Sequence, residues 1–209
     1  MAESSPFNVS TWIWKLGPNF KGFVANYGLS CIFPYHQIRV DEPLLRVATN
    51  YWVPSRYVFR FNEIELCPTI EEFATIMGEL EIDDLIFPTM GGDLPSLLLV
   101  VFGVLETTTN RWCVFGKLNL RLVFDYFSGS GLLEGERPQS YYLRAFCLCA
   151  LARYFLVQQS YFVDLRMCMV AYELKKGNSV ALIWVETLNG LDAFQRREAS
   201  FFAGSPFLL

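Results

Sequence analysis

Residues 52–78 read W-V-P-S-R-Y-V-F-R-F-N-E-I-E-L-C-P-T-I-E-E-F-A-T-I-M-G, and the rest of the chain is best read outward from them. Pro54 has no N–H to donate and restricts the residue before it, so a helix arriving from upstream ends there. Tyr57, Phe59 and Phe61 alternate with Val58 and Arg60, the two-residue period of a strand. Asn62-Glu63 predicts a tight turn, with Ile64 and Leu66 returning as a short second strand. Thr69 precedes Glu72 by the spacing of a capping box: the Thr oxygen accepts from a free helix N–H while the Glu reaches back. Ile70, Phe73, Ala74 and Met77 then fall on one helical face, and Gly78 supplies the stop. A helix stop, a small hairpin and a capped helix are packed into one segment that holds no catalytic constellation.

Upstream, Asp41 predicts an N-cap. Leu44, Val47, Ala48, Tyr51 and Trp52 follow at i, i+3, i+4, i+7 and i+8, a helix ending at Val53-Pro54. Residues 31–40 read as a connector. Phe20, Phe23, Val24 and Tyr27 keep helical spacing up to Gly28. Met1 to about Ser10 reads as a disordered start, and Trp12, Trp14 and Leu16 as a short strand or turn.

Downstream, residues 79–94 read as a loop and 96–105 as a short apolar helix opened by Pro95. Residues 107–116 are a break, and Leu120–Phe127 an amphipathic helix. Residues 128–138 form a Gly/Ser/Pro loop. Residues 140–158 are the longest helical candidate, apolar nearly all round and therefore central. Val163–Leu174 is a shorter element, helical or partly extended. Gly177-Asn178-Ser179 cap a helix whose stripe is Val180, Ile183, Trp184, Thr187, Leu188 and Leu191. Pro206, ahead of Phe207-Leu208-Leu209, is placed to open a further helix. The expected fold is mainly α: a single helical domain with one small β-hairpin, truncated at the C-terminus. Residues 1–19 are expected to be an N-terminal tail and 20–209 the domain.

Composition narrows the function. The chain is 53% hydrophobic and 18% charged, so it has few polar groups with which to cover itself. Either the core is large or part of the surface awaits a partner. A net charge of −4 opposes general phosphate binding. The adjacent pairs Arg196-Arg197 and Lys175-Lys176 remain for a local patch, and read as solvated helix ends or loops. The six cysteines show no C-x-x-C spacing and read as reduced, mostly buried thiols of an intracellular protein. The apolar runs near Leu94–Leu105 and Leu143–Val157 are too short to span a bilayer, which takes roughly 20 residues.

Catalytic chemistry has little to draw on. His36 is the one histidine, and it lies beside Tyr35 in an aromatic connector. Any Ser-His or Cys-His pair would have to use it. Glu71-Glu72 suits a helix N-terminus, where negative charge meets the dipole. Asp83-Asp84 reads as a solvated loop pair. Gly91-Gly92 lacks the Lys-Ser/Thr of a phosphate loop. No metal, cofactor or catalytic residue is expected.

The order of a helix, W-x-P with F-x-F, then E-x-x-x-C-P-T-I-E-E-F-x-x-I-M-G resembles the plant mobile domain, a transposon-associated plant family. It is most similar to a related plant group known as a domain of unknown function. That group has V-D-x-x-L-L before the Trp, here residues 40–45, and P-T-[IL]-E-E after it, here residues 68–72. Gly116-Lys117-Leu118-Asn119-Leu120-Arg121 resembles the family's G-x-L-x-L-R, and Leu143-Arg144-Ala145-Phe146 its R-A-F-L helix. The chain departs from the family at Asn62-Glu63, where Gly-Glu is usual, and at Gly177-Asn178-Ser179, where Trp-Gly-Ser is usual. Some members carry the name "aminotransferase-like", which no residue here supports. The resemblance implies a non-enzymatic nuclear module of transposable-element origin that binds a protein partner. The processes it implies are gene regulation, transposon silencing and meristem maintenance. A nucleic-acid-binding module, using Arg196, Arg197 and Lys175, is the alternative. An enzyme built on His36 or Asp83-Asp84 is the second alternative.

Overall fold

A computed structural model of the chain describes residues 8–15, 18–36, 41–79, 82–88, 94–129, 139–156, 161–199 and 202–206. The elements α1 (Val9–Lys15), α2 (Pro18–Ala25), α3 (Ile32–Tyr35) and α4 (Glu42–Thr49) lead into β1 (Trp52–Val53), β2 (Val58–Phe61) and β3 (Ile64–Leu66). Next come α5 (Ile70–Met77), α6 (Leu94–Phe102), α7 (Glu106–Trp112), β4 (Cys113–Val114), β5 (Lys117–Asn119) and α8 (Leu120–Gly129). Then α9 (Gln139–Ala150) runs into a π-helical turn (Leu151–Phe155), followed by β6 (Phe162–Asp164), α10 (Met167–Glu173) and α11 (Val180–Gln195). The fold is mainly helical, with two three-stranded antiparallel sheets, β1-β2-β3 and β4-β5-β6.

The capping box at α5 is formed in full. Thr69 Oγ1 accepts the Glu72 N–H at 3.2 Å, and the Glu72 carboxylate accepts the Thr69 N–H at 3.2 Å. Gly78 takes the left-handed conformation (φ 84°) that ends the helix, and Phe73, Ala74 and Met77 are buried. Thr69→Ala is expected to cost about 0.5–2 kcal/mol, read from the midpoint of chemical denaturation. An unchanged midpoint would mean the cap contributes nothing.

The first hairpin is larger than expected. Val53 O accepts the N–H groups of Arg56 and Tyr57, which turns the chain back after Pro54. Trp52 and Val53 therefore pair with Phe59 and Val58 as a third strand, and α4 stops at Thr49. The second sheet corrects the expectation of a single hairpin. Its strands are two or three residues long, too short to show an alternation. Its β4–β5 turn places Phe115 (φ 50°) and Gly116 (φ 73°) in left-handed backbone, the mirror-image turn that matches strand twist.

Two further corrections concern helices. Residues 1–7 of the expected disordered start lie outside the described residues; Val9 and Ser10 at its end, with Trp12 and Trp14 of the expected short strand or turn, are instead in α1, where Val9 and Trp12 are fully buried. Within the expected break at 107–116 lies α7, despite Thr107 and Thr108. Its Trp112 is buried and stacks edge-on against Tyr126 and Phe127, and packing of this kind overrides weak propensity. The connector at 31–40 likewise contains the one-turn α3. Val163–Leu174 resolves into both expected forms, β6 and then α10.

The main core wraps α9, whose residues from Ala145 to Ala150 are fully buried. It is met by α1, α2, α6, α8 and α10. The π-helical turn closes with Leu156 N–H to Leu151 O at 2.9 Å. A second, smaller cluster joins Trp52 and Phe59 of the first sheet to Leu188 and Leu191 of α11 and to Phe202. Trp52 Nε1 donates to Asp192 there at 2.6 Å. Of the expected Gly177-Asn178-Ser179 cap, Asn178 supplies the hydrogen bond: its Oδ1 accepts the Val180 N–H, while the Ser179 side chain makes no cap bond. Asn178 also pins residues 83–86, donating to the carbonyls of Asp83 and Asp84 and accepting from the Ile86 N–H.

After α11 the chain folds back along it as a strap, residues 202–206. Ser205 N–H donates to Thr187 Oγ1 at 2.8 Å, and Ala203 lies directly on Gly190. Gly91-Gly92, most of the 128–138 loop and the start expected for a further helix at 207–209 lie outside the described residues.

Candidate functional site

The helix α4 is capped as its sequence predicts, with Asp41 Oδ1 accepting the Leu44 N–H at 3.0 Å. An amphipathic helix ordinarily turns its apolar stripe to a core. Here α4 packs on α11 through the side that carries Leu45, and the Arg46 guanidinium lies over the Phe194 ring at 5.7 Å. Three residues of the predicted stripe face water instead: Leu44 is 62% exposed, Val47 53% and Tyr51 41%, whereas Ala48 is half-buried and Trp52 buried.

The surface continues onto the first sheet. The Tyr51 and Phe61 rings lie 4.6 Å apart, and Phe61 pairs with Ile64, which is 64% exposed. Leu66 lies two residues on from Ile64, on the same strand face, and is also exposed. Trp52 and Phe59 share that face but are covered by α11, so only its outer part is bare. Single exposed apolar residues need no explanation, but a contiguous set does.

The alternation that puts Phe61, Ile64 and Leu66 on one face places Arg60 and Glu65 on the other. Arg56 holds Glu65 at 2.5 Å, while Arg60 reaches the same carboxylate only at 4.0 Å. Arg46 has no carboxylate partner among the described residues. Asp41 is engaged as the cap, and Glu63, exposed at the hairpin turn, is unpaired among the described residues. The stripe can hold an apolar surface, but it carries no nucleophile or acid–base pair.

The other residues singled out from the sequence are dispersed. His36 Nδ1 lies 2.6 Å from the Phe33 carbonyl and so carries the proton. Its Nε2 is buried and without a hydrogen bond among the described residues, and the ring meets Trp14 edge-on. Asp83 and Asp84 are exposed on the loop that Asn178 pins. Lys176 is paired with Glu173 at 2.9 Å and Arg196 with Asp192 at 3.7 Å. These two basic pairs flank opposite ends of α11, about 24 Å of helix apart, so they do not form one face.

Arg144 enters the sequence reading only as part of Leu143-Arg144-Ala145-Phe146, with no role attached to it. Its guanidinium lies over the Tyr172 ring at 4.4 Å and donates to the carbonyls of Val100 and Val101 near the C-terminal end of α6. A cation is favoured at that end of a helix, so its role is to join α6 to α9 and α10.

The thiols are chemically quiet. Burial pushes Cys31 up to about 12 and Cys113 up to about 11, and raises Cys147, Cys149 and Cys168 further. A thiol held protonated neither attacks nor ligates. Cys67 is exposed, beside the stripe at the end of β3. Among the described residues no group of three or more His, Cys, Asp or Glu side chains could hold a metal. Treatment with a chelator is expected to leave the melting temperature unchanged, since no ligand cluster contributes folding energy. A fall of several degrees that zinc reverses would overturn this. No helix among the described residues is long and apolar enough to cross a membrane.

No family model, no curated protein and no solved structure matches the chain.

Proposed function

We propose that the chain is a non-enzymatic protein-interaction module that binds through the exposed stripe of α4 and the first hairpin. One observation carries this reading: Leu44, Val47, Tyr51, Phe61, Ile64 and Leu66 form a single apolar surface although α11 lies close enough to cover the rest of both elements. Leaving so many large apolar groups in water is unfavourable, and a partner removes that cost. The resemblance of residues 40–78 to the plant mobile domain supports a setting in the nucleus, for a transposable-element-derived protein acting in gene regulation, transposon silencing or meristem maintenance. By that reading the fold is a helical domain whose motif residues serve architecture: Trp52 and Phe59 seat the hairpin on α11, and Thr69 starts α5.

The test compares the full chain with Val47→Asp and Ile64→Asp variants as baits in plant nuclei. The expected result is a defined partner recovered by the parent chain and lost from both variants, with melting curves that coincide. Recovery of the same proteins by all three baits would defeat the reading.

A further inference from the structure

We propose that a second surface, formed by α1, α2, α3 and the π-helical turn, binds single-stranded nucleic acid without regard to sequence. It is independent of the stripe on α4 and the first hairpin. The charge of the chain is segregated: residues 4–40 hold Lys15, Lys21 and Arg39 and no Asp or Glu, so the negative balance lies wholly outside them. Such an asymmetry points to an anionic partner. Arg39 lies outside the described residues.

Side chains of this stretch join into one strip. Lys21 Nζ lies 5.3 Å over the Phe33 ring. His36 Nδ1 donates to the Phe33 carbonyl, and its ring meets Trp14 edge-on with centroids 6.0 Å apart. Ser10, one turn back from Trp14 on the same face of α1, shares a 2.8 Å hydrogen bond with the Tyr154 hydroxyl. Burial raises the pKa of that hydroxyl, while Ser10 and the Arg153 guanidinium act against the rise, which places Arg153 at this end of the strip. Cations thus stand at both ends, with the Trp14 ring, 73% exposed, between them and Lys15 next to it in the last turn of α1. The acidic groups of α5 lie across α3 from the strip: Cys31 and Tyr35 meet Met77 and the Ile76 carbonyl, on the face of α3 turned away from Phe33 and His36.

An open aromatic ring gives a base a stacking platform, and cations on either side of it meet the phosphates. Every base has a π-face, so the contact tolerates any sequence. A bilayer suits the strip less well, because α1 turns its apolar face, Val9, Trp12 and Ile13, into the core, and Thr11 and Asn19 are exposed on the same helices.

The experiment uses the full chain and a labelled oligothymidine of about 12 nucleotides, within the site sizes of single-strand binders. Fluorescence anisotropy is expected to show binding whose log affinity falls against log salt with a slope of about 2, the value for phosphate contacts by Lys15, Lys21 and Arg153. Trp14→Ala should weaken binding at least about tenfold, while Trp14→Phe retains most of it. The double variant Lys21→Glu, Arg153→Glu should abolish binding, and Arg196→Glu, Arg197→Glu should bind like the parent. Oligouridine should bind as well as oligothymidine, because stacking and phosphate contacts do not read the 2′-hydroxyl, and a duplex should bind more weakly because its bases are already stacked. Circular dichroism melts confirm that each variant is folded. Absence of binding by the parent would overturn the proposal. So would binding that Trp14→Ala leaves intact, a duplex or one sugar bound more tightly, or a loss confined to the Arg196 and Arg197 variant. Displacement of the oligonucleotide by polyglutamate as readily as by unlabelled oligothymidine would assign the strip to an acidic protein segment and overturn it. Equally tight binding to phosphatidylserine vesicles, lost with Trp14→Ala, would assign the strip to a membrane surface and overturn it as well.

Discussion

Trp12→Ala is expected to lower the free energy of unfolding by about 3–5 kcal/mol, the scale of emptying a buried aromatic site. Trp12 is fully buried and meets Phe124, Tyr142 and Phe146 edge-on, with ring centroids 5.2–5.5 Å apart. Its indole N–H also donates to the Tyr142 hydroxyl, which would be left without that donor. Domains of this kind have a total stability of about 5–15 kcal/mol, so the variant should be partly unfolded at physiological temperature. Trp14, on the same helix and 73% exposed, is the control: its alanine variant should stay within about 0.5 kcal/mol of the parent. Urea denaturation followed by circular dichroism measures both. Equal, small effects would mean that α1 is dispensable to the core.

Gly190→Ala should also destabilise, by about 2–3 kcal/mol, although alanine in place of glycine ordinarily favours a helix by up to about 1 kcal/mol. The reversal comes from the strap. A Cβ on Gly190 would overlap the carbonyl oxygen of Ala203, which is backbone and cannot rotate aside. The strap must lift, withdrawing Phe202 from Trp52, Phe59, Leu188 and Leu191 and breaking the hydrogen bond between Ser205 and Thr187. Burial of the phenylalanine is worth roughly 1.5–3 kcal/mol and the hydrogen bond about 1, against which the helix gain is set. Trp52 fluorescence should shift with the loss of its neighbour. A Gly190→Ala protein more stable than the parent would refute this account of the strap.

The parts of the fold legible in the sequence were those specified locally. Thr69, Glu72 and Gly78 fix both ends of α5 by short-range hydrogen bonds and backbone preference, and the structure places each in its expected role. The hairpin turn at Asn62-Glu63 and the amphipathic α8 are local in the same sense. What escaped depends on distant contacts. The helix α7 exists because Trp112 finds Phe127 and Tyr126, and β6 because residues 117–119 lie open beside it. Periodicity also misled at Trp52, which fits the α4 stripe by spacing but leaves it for a strand on α11.

The candidate site was half legible. Its residues on α4 were visible as a stripe, but a stripe says only that something should cover it. Whether α11 or water lies there depends on how the hairpin docks. The charge pairs of the hairpin could not be read at all, because Arg56 meets Glu65, and Arg60 the Asn62 carbonyl, only once the strands have paired.

The two sheets differ in how they must assemble in time. β1, β2 and β3 are contiguous in the chain and close through short turns, so they form by local encounters as soon as residue 66 is available. β5 waits for β6, and the whole of α8 and α9 lies between them. Closing that loop sacrifices chain entropy before the pairing of Leu118 with Val163 returns anything. During synthesis the first hairpin is therefore complete well before β6, and the long apolar α9, although α1, α2, α6 and α8 precede it, still lacks α10 when it emerges. That interval, rather than any weakness of the finished fold, is where a nascent chain of this sequence is most exposed to aggregation and most dependent on chaperones.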